Sequence, residues 1–293
     1  MTTARDYGLA PPGYRLPDAT RVGSVHLQLA DLQRSIDYYT GVIGLRVVSR
    51  DAVAAALAAG DGPALVRLEA RAGTLPGPRR GAFGLYHFAL LLPDRASLGR
   101  FMIHVEALGV PIGAADHLVS EALYLDDPDG LGIEVYCDRP RLAWRHVDRE
   151  LAMASHPLDV ASVAAAAEGE PWTGAPGGTI MGHLHLHVGD LAAARRFFHG
   201  GLGFDVTVWR YPGALFFGAG GYHHYLGTNT WAPGPAATAD HARLLEWELL
   251  VPGPAATAAA ATSLEASGYR PTRGDDAVAV ADPWGTRLVV RAV

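Results

Sequence analysis

A chain of 293 residues is long enough to bury a full hydrophobic core in about two domains, and its net charge of −6 advertises no basic face for nucleic acid. All 24 basic residues are arginine, which excludes lysine Schiff-base chemistry, pyridoxal phosphate and the lysine of a phosphate-binding P-loop. One cysteine, Cys137, excludes an intrachain disulfide and a cysteine metal cluster and is what a cytoplasmic protein would carry. The first 21 residues have no secretory pattern and no run of 18 apolar residues occurs, so no membrane association is expected.

In chain order, Ser24–Leu29 alternates as a half-buried strand. Asp31 then supplies an N-cap, with Leu32, Ile36, Tyr39 and Ile43 following at helical spacing. Gly44 ends that helix and Leu45–Val48 opens the next strand. Further on, a strand over 85–92, a helix over 94–109 and strands over 121–126 and 131–137 are expected. The last two are joined by the turn Asp127-Pro128-Asp129-Gly130. Residues 139–179 read as a connector, with a short alanine-rich helix near 158–167 and a flexible TGAPGG stretch, expected to wrap the surface.

The connector separates two copies of one pattern. Residues 25–47 (VHLQLADLQRSIDYYTGVIGLRV) and 184–206 (LHLHVGDLAAARRFFHGGLGFDV) match with Asp31 against Asp190 and Gly44 against Gly203, each pair 159 positions apart. Pro93 and Pro252 keep the same offset, and Asp127-Pro128 answers Asp282-Pro283. Each half divides again into units of strand, helix and three shorter strands, at about 22–80, 84–138, 180–233 and 242–293. The domain reading is therefore an N-terminal half 1–138, a connector 139–179 and a C-terminal half 180–293. At the same place in the four opening strands stand Ser24, His87, His183 and Glu246.

These units resemble the βαβββ modules of the vicinal oxygen chelate (glyoxalase/bleomycin resistance/dioxygenase) superfamily. The chain resembles that superfamily's type I extradiol, catechol 2,3-dioxygenases. The resemblance rests on GLYHFALLLPD (84–94), ALYLDDPDGLGIEVY (122–136), GHLHLHVGDL (182–191) and GGYHHYLG (220–227), and covers 22–138 and 180–293. It implies an α+β fold in which four modules pair into two cup-like, mixed-sheet units, and it implies a metal held by opening strands and a last strand. Pairing the second module with the third collects His87, Glu134 and His183, two imidazoles and a carboxylate, the facial set used for Fe(II), with Mn(II) as the other candidate. The leftover positions Ser24, Glu246 and Val289 would form a vacated site.

The resemblance also implies catalytic roles. His223, in the glycine-glycine-x-histidine element, would be the acid–base residue. Tyr124, ten positions before Glu134, would be the catalytic tyrosine, and His117 would line the substrate pocket. His185 and His187 share a strand face with His183, and His26 answers His185, so that pair is expected to support the site or the fold. His224 and Asn229 receive no role; Trp209, Phe216 and Phe217 are candidates for an aromatic wall, with core packing expected of at least one. The implied partners are a small aromatic diol and O₂, with a homo-oligomer as the expected assembly. The alternatives are a glyoxalase-type metal isomerase, a hydroquinone-cleaving relative, and a metal-free binding protein of the bleomycin-resistance kind.

Overall fold

The computed structural model describes residues 7–78, 82–232 and 234–293. Residues 80 and 233, the expected ends of the first and third modules, and the first six residues of the N-terminal half lie outside the described residues. The first module contains β1 (Arg21–Leu29), α1 (Leu32–Gly41), β2 (Arg46–Arg50), β3 (Ala54–Ala58) and β4 (Ala64–Ala70). The second contains β5 (Gly84–Leu91), α2 (Arg95–Ala107), β6 (Gly113–Asp116), β7 (Ser120–Asp126) and β8 (Gly132–Asp138). In the connector lie the two-residue strands β9 (His146–Val147) and β10 (Glu150–Leu151), then α3 (Val160–Ala165). The third module has β11 (Ile180–His187), α4 (Leu191–Ala194), β12 (Asp205–Val208), β13 (Ala214–Gly218) and β14 (Leu226–Asn229). The fourth has β15 (Arg243–Val251), α5 (Gly253–Ala266), β16 (Thr272–Arg273), β17 (Ala277–Ala281) and β18 (Arg287–Ala292).

Two mixed eight-stranded sheets make an α+β protein. One runs β16-β17-β18-β15-β1-β4-β3-β2 and the other β12-β13-β14-β11-β5-β8-β7-β6. Each sheet thus joins strands from both sequence halves. The seam of the second is the antiparallel pair β5–β11, and that of the first is β1–β15. Strand alternation explains which side is dry. On β11, Leu184 and Leu186 enter the shared hydrophobic core, while His183, His185 and His187 take the opposite face. The same core gathers Val25, Leu27 and Trp247 from the other sheet, so the two sheets share one apolar interior.

Aspartates start the helices as the sequence predicts. The Asp31, Asp94 and Asp190 side chains accept hydrogen bonds from the N–H groups of Arg34 (2.9 Å), Ser97 (2.7 Å) and Ala193 (2.6 Å). The fourth module's helix, α5, begins at Gly253 with no side-chain cap. The third differs from expectation, for α4 gives way after one turn to a π-helical stretch, Arg195–Gly201. The described helices include none long and apolar enough to cross a membrane.

The turn between β7 and β8 carries a buried acid. Asp127 Oδ1 accepts from the N–H groups of Asp129 and Leu131, both at 2.9 Å, and Tyr39 donates its hydroxyl to Oδ2 at 3.2 Å. These bonds fix the register that places Tyr124 opposite Glu134. Burial nevertheless pushes the Asp127 carboxyl up to about 6. Between the ordinary value of 3.8 and about 6 the folded chain holds a proton that the unfolded chain has lost. This group's contribution to stability is therefore greatest below pH 4 and is lost as pH rises through about 6. Asp127→Asn keeps an acceptor and removes the charge. Its stability relative to the parent, followed by urea denaturation, should rise by up to about 3 kcal/mol between pH 4 and pH 6.5. A pH-independent difference would show that this carboxyl ionises freely.

Candidate metal centre and cavity

Four strands build the candidate centre from one row of residues. Across β7, β8, β5 and β11 the cross-strand neighbours are Tyr124, Glu134, Ala89 and His183. His87 stands two residues from Ala89 on the same face of β5, opposite Gly132 on one side and His185 on the other. Alanine at 89 is small enough for Glu134 and His183 to meet above it. The Nε2 atoms of His87 and His183 lie 3.0 Å and 3.1 Å from the same oxygen, Glu134 Oε2. All three side chains are buried, and among the described residues this is the group of potential ligands whose donor atoms fall within 4.8 Å of one another.

The contacts have the character of a cation seat. His183 can hydrogen-bond to Glu134, but His87 Nε2, despite its proximity, makes no hydrogen bond of proper geometry. Two imidazole nitrogens and a carboxylate therefore converge with one buried nitrogen orphaned, a donor set that fits a divalent first-row metal. Burial opposes ionisation of Glu134, yet His183 and His87 outweigh it and hold its pKa well below the ordinary carboxylate range. Burial, working against Glu134, lowers the pKa of His87, which favours the neutral ring with one nitrogen free as a lone-pair donor.

A cavity of about 160 Å³ opens over the three side chains. His117 and Tyr124 both line it, joined by a 2.6 Å hydrogen bond between His117 Nε2 and the tyrosine hydroxyl. His117 Nδ1 lies 2.7 Å from the carbonyl oxygen of Ala154, which can only accept. In neutral His117 the Nδ1 is then the N–H, and Nε2 accepts from Tyr124. Burial, then Glu134, pushes the Tyr124 phenol well above 10, so it stays protonated.

His223 is placed differently from the expectation. It does not line this cavity; its neighbour His224 does. His223 Nε2 lies 2.8 Å from Asp138 Oδ1 and its Nδ1 lies 2.7 Å from His224 Nδ1, so both nitrogens are already engaged. The physical reason is the loop between β13 and β14. Gly220 and Gly221 both take positive φ, +58° and +71°, and this tight turn sends the second histidine, not the first, over His183. The His224 and His183 rings meet in a tilted contact, centroids 4.2 Å apart, and burial followed by His183 and His223 pushes the His224 pKa well down.

Other lining groups carried weaker signals or none. Tyr86, Phe216, Tyr211 and Trp231 supply an aromatic wall, and the connector adds Met153 and Ser155, the latter bonded to the Tyr211 hydroxyl at 3.0 Å. Of the aromatic candidates, Phe216 lines the cavity, whereas Phe217, one residue on, is fully buried in the core and Trp209 packs against it. Asn229 accepts from His187 Nδ1 at 2.6 Å and from the Trp231 N–H, a structural role. The connector's part in the wall could not be read from its irregular sequence; the alternation of β13 could have singled out Phe216.

The equivalent place in the other sheet is closed. Ser24 donates its hydroxyl to Glu248 Oε2 at 2.6 Å, and Arg291 and Arg67 meet Glu248 Oε1 at 2.9 Å and 3.6 Å. Glu246 pairs instead with Arg287 at 2.6 Å, and His26 with Glu69 at 3.0 Å.

Comparison with known proteins agrees with this architecture. Residues 21–135 and 180–290 match the model of the Glyoxalase/Bleomycin resistance protein/Dioxygenase superfamily. The chain belongs to that superfamily. It is 40% identical over 270 residues to a protein of Bacillus subtilis (strain 168) named Catechol-2,3-dioxygenase, covering 90% of this chain and 94% of that one. In fold it is similar to a dioxygenase candidate from Bacillus subtilis subsp. subtilis str. 168 (TM-score 0.66, 13% identity, 95% and 86% of the two chains). It is also similar to glyoxalase I of Zea mays (TM-score 0.56, 17% identity, 94% and 92%).

The site depends on small residues beside its large rings. A Cβ on Gly227, opposite His185, would sit 2.9 Å from the His185 ring, which is buried and has little room to retreat. Gly227→Ala should cost about 1–3 kcal/mol of overpacking in denaturant titrations. An unchanged midpoint would mean that the wall of the cavity yields freely.

Proposed function

We propose that this chain is an Fe(II)-dependent extradiol dioxygenase that opens a catechol ring beside the diol to give a hydroxymuconic semialdehyde. The observation that carries this reading is the convergence of His87, Glu134 and His183 beneath an aromatic-walled cavity. Two imidazoles and one carboxylate on one side leave adjacent positions open on the other. The relative named Catechol-2,3-dioxygenase supports it. Iron held there would supply the redox chemistry that lets a singlet aromatic diol react with O₂, with Mn(II) as the alternative occupant.

The chain's own groups then have distinct tasks. His87, Glu134 and His183 hold the metal. Tyr124 donates its hydroxyl hydrogen to His117, so its oxygen faces the cavity as an acceptor for a diol hydroxyl. His117, anchored on the Ala154 carbonyl, holds that tyrosine in place. Acid–base work falls to His224 in place of His223, because His224 lines the cavity and its lowered pKa leaves it neutral at physiological pH. Phe216, Tyr211 and Trp231 give the ring an apolar wall and limit water.

Protein reconstituted anaerobically with Fe(II) and then mixed with catechol in air should consume one O₂ per catechol and yield a coloured ring-opened product. His87→Ala, Glu134→Ala and His183→Ala should each lose most of the iron, measured by elemental analysis, while Glu246→Ala keeps it. His224→Phe should retain iron and slow ring opening by roughly 10²–10⁴-fold. Full iron retention by His183→Ala would overturn the ligand set. Turnover without oxygen uptake would replace the dioxygenase by an isomerase.

A further inference from the structure

Behind the cavity a second, larger one of about 380 Å³ is lined by Arg141, Trp144, Tyr222 and His223. The two cavities are separated by the His223–His224 pair, since each histidine lines one of them. The pair is tied to a carboxylate. Asp138, the last residue of β8, accepts at Oδ1 from His223 Nε2 at 2.8 Å and from the Tyr222 hydroxyl at 3.3 Å. The His223 side chain is wholly buried and that of Asp138 is 27% exposed. Thr207 donates its hydroxyl to the His223 carbonyl at 2.6 Å, and the Trp144 ring lies 5.2 Å from the His223 ring. These contacts hold the His223 ring between Asp138 and His224.

Hydrogen counting along this chain gives a direction. An ionised carboxylate only accepts, so His223 carries its hydrogen on Nε2. The neutral ring then has a lone pair on Nδ1. A 2.7 Å contact between two ring nitrogens needs one hydrogen, which must therefore sit on His224 Nδ1. That leaves the His224 Nε2 lone pair as the group's free basic site. Without Asp138 the opposite arrangement, with hydrogen on His223 Nδ1 and on His224 Nε2, would be equally available and would present a donor in place of a base.

We propose that Asp138 and His223 are positioning residues that lock His224 in its Nδ1–H tautomer, so that Nε2 meets the substrate hydroxyl as a base. This inference rests on the reading that His224 is the acid–base residue of ring cleavage. The logic is that of a carboxylate orienting a catalytic histidine, extended by one imidazole.

The test is the tautomer itself. Full-length, metal-free protein labelled with ¹⁵N-histidine is examined by long-range ¹H–¹⁵N correlation, with His224 assigned by the signals lost in His224→Phe. The wild type should show His224 protonated on Nδ1 and His223 on Nε2. Asp138→Leu, which removes the acceptor and keeps the bulk, should shift His224 toward the Nε2–H form. Loaded with Fe(II), the same variant should lose between about 10- and 10⁴-fold in kcat with KM little changed, the upper end being the cost of losing a tautomer-fixing aspartate. Wild-type His224 protonated on Nε2, or an Asp138→Leu variant with the tautomer and kcat of the wild type, overturns the proposal. The wild-type spectrum decides even where the variant does not fold. It needs no turnover, so failure of the dioxygenase reading would be seen separately, in the oxygen-uptake assay.

Discussion

The carboxylate of Glu134 is the constraint around which the second sheet is arranged. It is 2% exposed, in a strand between Ile133 and Val135, where an unpaired charge would cost several kcal/mol. Its compensation comes from two histidines that lie on other strands, and one of them belongs to the other half of the chain. The β5–β11 seam is thus where charge burial, sheet topology and the candidate chemistry coincide. Ala89, between Glu134 and His183 in the cross-strand row, lets the partners close over a small side chain.

The other sheet solves the same problem in the opposite way. Position 248 answers Ala89 at the repeat offset of 159, and there a glutamate occupies the space that alanine leaves open. Glu248 is satisfied by Ser24, Arg291 and Arg67, a closed ion cluster with no orphaned nitrogen. Burial opposes its ionisation, but Ser24 and the two arginines still bring its pKa below the usual value. One copy of the duplicated frame therefore keeps convergent lone pairs facing a cavity, and the other fills the corresponding place with arginine-paired charge.

Much of this was legible in the sequence because it depends on periodicity and register. The aspartate caps, the Asp-Pro-Asp-Gly turn and the alternation of β11 are local rules, and the repeat offset carries them from one module to the next. The resemblance of the modules to the superfamily's, applied at those repeat positions, implied His87, Glu134 and His183 as one set, and their donor atoms lie within 4.8 Å of one another. His224 escaped because residues 220–225 are a loop turned by two glycines at positive φ, where strand alternation has no authority. The π-helical stretch after α4 and the walls contributed by Met153 and Ser155 depend on tertiary packing, which no short window encodes. The Asp138–His223 link joins residues 85 positions apart through side chains alone.

Anomalous diffraction at the iron absorption edge would locate a metal held between strands of the two sequence halves. Crystals of the protein loaded with Fe(II) under anaerobic conditions should show one anomalous peak, in contact with His87 Nε2, His183 Nε2 and the Glu134 carboxylate. A peak beside Glu248, or bound iron with no peak at the β5–β11 seam, would contradict the account.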